Sequence, residues 1–214
     1  MTREPTGLVA ILRGLTPEQA PAVGEALVGA GLTTVEVPLN SPDPLRSITI
    51  LREQLDERAL VGAGTVLDAV SVAAAVEAGA QLIVCPHTDP DVVAEAVACR
   101  VPVYPGVATV SEAFTAIRHG ARAVKIFPAD QVGLSAVRAW TAVLPPEVEL
   151  VPVGGVSAGQ FENWVAAGAT GFGIGTALFT PEVPTELLAE RAGELVTAWT
   201  AVADRVRPLP PAER

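Results

Sequence analysis

The chain has 214 residues and a formal net charge of -10; half of its residues are hydrophobic and only 4% are aromatic. This length suffices for one α/β domain with a large core, which Ala, Val and Leu must fill because aromatic side chains are scarce. The acidic balance and the lack of a basic run argue against nucleic acid as a partner. They leave room for a locally positive pocket that binds a small anion.

Hydropathy and cysteine usage predict a cytoplasmic protein. No apolar stretch approaches the roughly 20 residues that span a bilayer, and the N-terminal MTREPTG lacks the hydrophobic region of a signal peptide. Cys85 and Cys99 are the two cysteines and lie close together in the sequence. We therefore interpret them as reduced thiols and not as a disulfide framework.

Taken in chain order, the sequence repeats one unit, a short β-branched run ending in Pro or Gly and then a longer stretch with helical periodicity. Eight runs are predicted strands: 8–13, 33–39, 59–66, 81–86, 101–107, 123–128, 149–156 and 171–178. These runs are apolar nearly throughout, which is typical of parallel strands covered on both faces. Glycines shortly before several strands are typical of the caps that end the preceding helices.

Eight βα units in about the usual length predict a (β/α)8 TIM barrel. An open, doubly wound sheet is the alternative, because counting strands does not prove closure. No composition break divides the chain, so we expect one domain over residues 1–204. Residues 205–214 are Pro-rich and charged, and they predict a frayed C-terminal tail.

Polar residues at the C-terminal ends of the predicted strands are the candidates for chemistry, because barrels of this kind place their reactive groups there. They are Arg13, Glu36, Thr65, His87, Thr109, Lys125, Ser157 and Thr176. A lone histidine such as His87 is more often structural, and His119, at a predicted helix end, is expected to be solvated. With two distant histidines and no carboxylates clustered around them, no metal site is expected.

Lys125 is the only lysine in the chain, and it lies in the apolar strand AVKIFP. An arginine stays protonated in any protein environment, whereas a desolvated lysine can lose its proton and become a nucleophilic amine. Such an amine attacks a ketone to form a Schiff base. A structural ion pair is the alternative role for Lys125.

Glu36 interrupts another apolar strand, TTVEVPL. Burial raises the pKa of a carboxyl, which makes Glu36 a candidate general acid and base. The alternative is a buried ion pair with Arg13 or Lys125. The two roles are compatible, because a carboxyl near Lys125 would transfer protons at each step of imine chemistry.

Glycine-rich segments follow the seventh and eighth predicted strands, VPVGGVS at 151–157 and GIGTALF at 173–179. Loops at these positions of a barrel frequently bind phosphate through backbone N–H groups, and Ser157 and Thr176 add hydroxyls. Ordinary glycine turns are the alternative interpretation.

Two candidates at the strand ends are weaker. Arg13 is placed to pair with a substrate carboxylate through two hydrogen bonds, or to form an ion pair on the rim. Thr65 is placed to offer its hydroxyl to a substrate, or to cap the helix that begins near Asp68.

Six motifs follow one another along the chain: AILRG (10–14), VEVPLNSP (35–42), GAGTVL (62–67), YPGVATVSEA (104–113), KIFP (125–128) and VGGV (153–156). In order and spacing they resemble the KDPG/KHG aldolase family, the class I aldolases that cleave 2-keto-3-deoxy-6-phospho sugar acids. The resemblance runs from Val9 to about Phe179. ILRG and EVPLNSP are most similar to the phosphogalactonate branch, since Asn40 stands where the phosphogluconate branch tends to carry arginine.

The resemblance implies a role for each matched residue. Lys125 would form the Schiff base, Glu36 would donate and accept protons, and Arg13 and Thr65 would contact the keto-acid end of the substrate. The residues implied for phosphate are Gly154, Gly155, Gly175 and Thr176, the last of which replaces a serine common in the family.

The implied reaction is cleavage of 2-dehydro-3-deoxy-6-phosphogalactonate to pyruvate and D-glyceraldehyde 3-phosphate by a homotrimer that needs no metal or organic cofactor. Cleavage of the phosphogluconate epimer or of 4-hydroxy-2-oxoglutarate is the alternative within the family. A barrel isomerase or synthase without an imine, or a non-catalytic phosphosugar-binding protein, is the alternative outside it. A binding protein has no need of a buried amine beside a buried carboxyl.

Overall fold

Strands and helices alternate along the chain in the computed structural model, which describes residues 6–210. The strands are β1 Gly7–Ile11, β2 Thr34–Pro38, β3 Leu60–Gly64, β4 Ile83–Val84, β5 Val103–Tyr104, β6 Gly106–Val107, β7 Ala123–Ile126, β8 Glu149–Pro152 and β9 Gly171–Ile174. The helices are α1 Ala20–Gly29, α2 Pro44–Leu55, α3 Ala69–Glu77, α4 Pro90–Ala98, α5 Val110–Arg118, α6 Ala129–Trp140, α7 Phe161–Ala167 and α8 Thr185–Ala203.

All the strand pairs are parallel, which confirms the predicted α/β architecture. Hydrogen bonds arrange the strands in two sheets, one of six strands in the order β5-β4-β3-β2-β1-β9 and one of three in the order β6-β7-β8. The strand pairing therefore forms a curled, open arrangement and not the single closed sheet that the predicted TIM barrel requires. The fifth predicted strand is split into β5 and β6 at Pro105, which has no N–H to donate to a ladder.

The strands are buried along most of their length, and their residues are largely Val, Ile, Leu, Ala and Gly. Aromatic packing is confined to a few places: Phe161 and Phe172 stack with ring centroids 4.3 Å apart, and Trp199 meets Phe172 edge-on at 5.9 Å. The aliphatic core expected from the composition is thus present. Between residues 6 and 210, no helix is long and apolar enough to cross a membrane.

Helix ends follow the local sequence. Gly168 directly follows α7 with φ of 112°, and Gly120 follows the last residue of α5 by two positions with φ of 104°. Both adopt the left-handed conformation that commonly ends a helix, as predicted. At the N-terminus of α4, the Asp89 carboxylate accepts hydrogen bonds from the N–H groups of Asp91 and Val92, at 2.8 and 3.3 Å. Short segments between β-strands and helices are therefore fixed by turn and cap chemistry.

The C-terminal segment is packed where the structure describes it. Arg207 donates hydrogen bonds to the carbonyls of Pro146 and Val148, and the side chain of Leu209 is 1% exposed. The prediction of a frayed tail is wrong for these residues. Proline and charge indicate disorder only when no apolar side chain of the segment finds a place in the core, and Leu209 does.

Leu209→Ala should lower the free energy of unfolding by about 2–5 kcal/mol, because the substitution removes a buried side chain and leaves a cavity. The matched control is Leu187→Ala, since Leu187 is 37% exposed on α8; its cost should be about 0.5 kcal/mol or less. Urea denaturation of the three proteins measures both values. Equally small losses for the two variants would show that the segment is not docked in solution.

Candidate active site

Lys125 and Glu36 face the same small cavity in the interior of the curled sheets. Lys125 is the third residue of β7, and Glu36 is the third residue of β2. The other residues that line this cavity are Val9, Ile11, Val84, Tyr104, Val151, Val153 and Gly173. Two ionisable groups that are distant in sequence therefore meet in surroundings that are otherwise almost entirely apolar.

The Lys125 side chain is 5% exposed, and its Nζ lies 4.8 Å from the centroid of the Phe127 ring. Burial lowers the pKa of Lys125, and the negative charge of Glu36 opposes this shift. Among the ion pairs of the described residues, none involves Lys125. A weakly paired, desolvated ammonium gives up its proton more readily than a solvated one, so this environment favours the neutral amine.

The Glu36 side chain is 1% exposed, and burial raises its pKa to about 7 against the opposing charges of Lys125 and Arg13. Within residues 6–210 its Oε2 atom has no hydrogen-bond partner. Had Glu36 been held in a close ion pair, its pKa would have fallen below the ordinary value. The carboxyl can thus gain or lose a proton near neutral pH, as a general acid and base must.

Arg13 and Thr65 lie together just beyond the C-terminal ends of β1 and β3. Arg13 Nη1 donates a hydrogen bond to Asn40 Oδ1 at 2.7 Å, and Nη2 donates to Thr65 Oγ1 at 3.4 Å. Within residues 6–210, Arg13 therefore pairs with a neutral amide and forms no ion pair on the rim, contrary to the alternative interpretation. One side of the guanidinium is held in place without its charge being neutralised.

Thr65 does not cap the following helix. The cap of α3 is Asp68, whose carboxylate accepts from the Ser71 N–H at 2.7 Å. Thr65 has φ of 54°, which is a strained conformation for a β-branched residue. Strain of this kind persists only where the surrounding structure imposes it, and it is commonly found at binding sites.

A cleft of about 710 Å³ continues from the interior cavity, with which it shares Ile11, Val153 and Gly173. It is lined by the predicted phosphate residues Gly154, Gly155, Gly175 and Thr176, and also by Arg13, Phe127 and Ser157. In the part of the chain that the structure describes, the N–H groups of Gly154, Gly155 and Thr176 donate to no other residue. Ser157 instead bonds to Gln160 as a helix cap, so its hydroxyl is already engaged.

Two other candidates, Thr109 and His87, line neither cavity, and neither does His119. Thr109 caps α5 in a reciprocal pair with Glu112. The His87 side chain is 44% exposed and lies 3.9 Å from Asp89, and His119 is exposed at the end of α5, as predicted. Over residues 6–210, no three His, Cys, Asp or Glu side chains lie close enough to hold a metal ion.

Sequence reasoning missed two residues that shape the site. Phe127 lies beside Lys125 and lines the cleft, and its position directly after KI in KIFP was a usable signal. Tyr104, the one tyrosine of the chain, lines the interior cavity. Its hydroxyl is 2.7 Å from Thr6 Oγ1, which in turn donates to Glu149 Oε2 at 2.6 Å. No local sequence pattern predicts this hydrogen-bond network, because Tyr104, Thr6 and Glu149 are far apart in the chain.

Polar groups gathered inside a parallel α/β sheet, beside a glycine-lined cleft, define an α/β enzyme. The model of the family "KDPG and KHG aldolase" matches residues 3–190. The chain therefore belongs to the KDPG and KHG aldolase family, and it is an aldolase, a carbon–carbon lyase.

Individual relatives agree with this assignment. The chain is 42% identical to 2-dehydro-3-deoxy-6-phosphogalactonate aldolase of Escherichia coli (strain K12) over 192 residues, which are 90% of this chain and 94% of that protein. It superposes on a native KDPGal structure with a TM-score of 0.91 and 40% identity, covering 95% of this chain and 100% of that chain. It also superposes on KDPG aldolase from Legionella pneumophila, captured with pyruvate as a covalent carbinolamine intermediate, with a TM-score of 0.78 and 25% identity, covering 91% and 93% of the two chains.

Carboxyl ¹³C NMR of protein labelled at the glutamate side chains should show one group that titrates near pH 7, and the signal should be missing from Glu36→Gln. Lys125→Met should raise this pKa further, because the ammonium charge of Lys125 lowers it in the wild type. A Glu36 signal that titrates near the ordinary value of 4.5 would show that water reaches the carboxyl.

Proposed function

We propose that the protein is a class I aldolase that cleaves 2-dehydro-3-deoxy-6-phosphogalactonate to pyruvate and D-glyceraldehyde 3-phosphate through a Schiff base on Lys125. The observation that carries this proposal is the burial of Lys125 and Glu36 in one cavity, which lowers the pKa of the amine and raises that of the carboxyl. The Escherichia coli relative, of nearly the same length, favours the phosphogalactonate substrate.

In the proposed first half of the reaction, the neutral Lys125 amine adds to the C2 ketone and forms a carbinolamine. Glu36, as its carboxylic acid, protonates the departing hydroxyl, so water leaves and a cationic imine remains. The Legionella relative, trapped at the carbinolamine stage, supports covalent attack in this fold.

In the second half, Glu36, now a carboxylate, takes the proton of the C4 hydroxyl, and the imine accepts the electron pair of the C3–C4 bond. Glyceraldehyde 3-phosphate leaves, and the enamine on Lys125 takes a proton at C3 from Glu36 to become the imine of pyruvate. Addition of water and expulsion of the amine release pyruvate. Glu36 both donates and accepts protons in this cycle, which a pKa near neutrality allows.

The substrate is proposed to lie along the two connected cavities, with its carboxylate at one end and its phosphate at the other. Arg13, with its charge not neutralised by Asn40, and the hydroxyl of Thr65 hold the carboxylate of the substrate near Lys125. At the other end, the unpaired N–H groups of Gly154, Gly155 and Thr176, together with Gly175, bind the phosphate. The cleft of about 710 Å³ has room for a phosphorylated sugar acid.

We also propose that the two sheets together form a closed barrel. β5 and β6 run on through Pro105, whose carbonyl accepts the Lys125 N–H at 2.8 Å, and a parallel bridge pairs Val153 with Gly173 between the two sheets. These contacts support a closed (β/α)8 barrel, one domain over residues 1–204 followed by the Pro-rich segment. By its resemblance to the family, we propose a cytoplasmic homotrimer.

Borohydride reduction in the presence of pyruvate should attach the three-carbon unit at Lys125, because this is the only lysine of the chain. Mass mapping of the peptides locates the adduct, and the N-terminal amine is the only competing primary amine. Lys125→Arg should lose the adduct. Labelling that bypasses the Lys125 peptide, or that survives Lys125→Arg, would rule out the Schiff base at this position.

Removal of the substrate phosphate should lower kcat/KM by roughly a hundredfold or more, because binding of a remote group helps to position the reacting carbon. A Cβ on Gly175 would meet no atom within 4 Å and would enter the cleft. Gly175→Ala should therefore weaken the preference for the phosphorylated substrate while leaving the slow reaction of the unphosphorylated acid unchanged.

The control for Gly175→Ala is Gly193→Ala on α8, where an added Cβ also meets nothing within 4 Å. That variant should keep the wild-type preference. Equal kcat/KM for the two substrates in the wild type would remove the phosphate assignment and leave the lysine chemistry standing.

A further inference from the structure

The carboxyl of Glu36 occupies the space in which residue 64 would otherwise have a side chain. β2 and β3 pair in parallel, with Glu36 beside Gly62 and Pro38 beside Gly64. A Cβ built on Gly64 would lie 1.7 Å from Glu36 Oε2 and 2.2 Å from its Cδ. Real Cβ atoms essentially never approach another heavy atom within 3.0 Å, so any other residue at 64 excludes the observed carboxyl position.

Conformational freedom does not explain the glycine. Gly64 is not among the described residues that adopt a positive φ, whereas its neighbour Thr65 does so at 54° in spite of its branched side chain. A side chain at position 64 would therefore cause no backbone strain. The space taken by Glu36 is what requires glycine there.

The backbone cannot withdraw to make room at low cost. The Gly64 carbonyl accepts the Leu39 N–H at 2.7 Å, and every residue of β3 is paired with β2. Glu36 is itself buried, with apolar neighbours such as Ile11 and Val84 lining the rest of its cavity. An added methyl group must therefore displace the carboxyl and not the strand.

We propose that Gly64 is a positioning residue for proton transfer, because its missing side chain fixes where the Glu36 carboxyl lies relative to Lys125. This inference rests on the proposed acid–base role of Glu36. It gives the GAGTV motif a role distinct from substrate contact. Thr65 follows the end of β3, and Gly64 before it leaves the space that the Glu36 carboxyl occupies.

The test is a double-mutant cycle between Gly64→Ala and Glu36→Ala, with solvent exchange of the pyruvate methyl protons as the readout. This exchange reports protonation and deprotonation of the enamine. Gly64→Ala should slow it by roughly a hundredfold, within the usual worth of general acid–base help. Glu36→Ala deletes the carboxyl that the new methyl group would strike, so adding Gly64→Ala to it should change the rate by about twofold or less.

Gly62→Ala is the matched control on the same strand. Its Cβ would crowd the Leu82 carbonyl oxygen at 2.8 Å and the Leu82 Cβ at 2.9 Å, so its three nearest atoms belong to Leu82 and none to Glu36. It should lower the thermal unfolding midpoint yet keep the pH dependence of exchange, whereas Gly64→Ala should change that pH dependence. A pH profile of Gly64→Ala identical to that of the wild type would overturn the proposal.

The remaining outcomes also decide the matter. If Gly64→Ala slows the Glu36→Ala protein as much as the wild type, the glycine does not act through Glu36 and the proposal is wrong. If Gly64→Ala does not fold, folding restored by Glu36→Ala supports the proposal, and a double variant that also fails to fold contradicts it. Glu36→Ala alone tests the proposed function: exchange at the wild-type rate would refute the acid–base role, whatever Gly64→Ala does.

Discussion

Desolvation of one amine and one carboxyl in the same apolar cavity is the constraint on which the site depends. Burial acts on the two groups in opposite directions, since it lowers the pKa of Lys125 and raises that of Glu36. The charge of each group opposes the pKa shift of the other. Aliphatic neighbours such as Val9 and Val151 maintain this balance because they exclude water without offering a hydrogen bond.

Glycine has two separate uses around this cavity. At Gly154 and Gly155, φ is 92° and 72°, and the turn exposes backbone N–H groups to the cleft. At Gly64 and Gly173 the backbone is ordinary, and the missing side chain leaves room for a neighbour, Glu36 in the first case and Val153 in the second. Within the curled sheets, the Glu36 carboxyl therefore has room because β3 lacks a side chain at position 64.

The groups with the most demanding geometry are on strands, and the more adaptable contacts are at strand ends. Lys125 and Glu36 are held by ladders on both sides, which fixes the direction of their side chains. Arg13 and Thr65 lie just beyond the ends of β1 and β3, where Asn40 orients the guanidinium. Rigid strands therefore support the proposed chemistry, while the proposed substrate contacts lie at the strand ends and in the glycine turns.

The sequence by itself determined the local features of this protein. Apolar runs predicted the positions of the strands, and glycines predicted helix ends. Lys125 was recognised as unusual because it is the single lysine and lies in an apolar strand. Periodicity, turn chemistry and the cost of burying a charge are all properties of short segments, so the sequence alone reveals them. Only the tertiary structure decided which distant segments touch. In the tertiary structure the fifth strand is interrupted at Pro105, Leu209 is buried, and the Glu36 carboxyl lies next to Gly64. Those outcomes depend on packing between residues far apart in the chain, where the shape of the space decides and no local pattern records it.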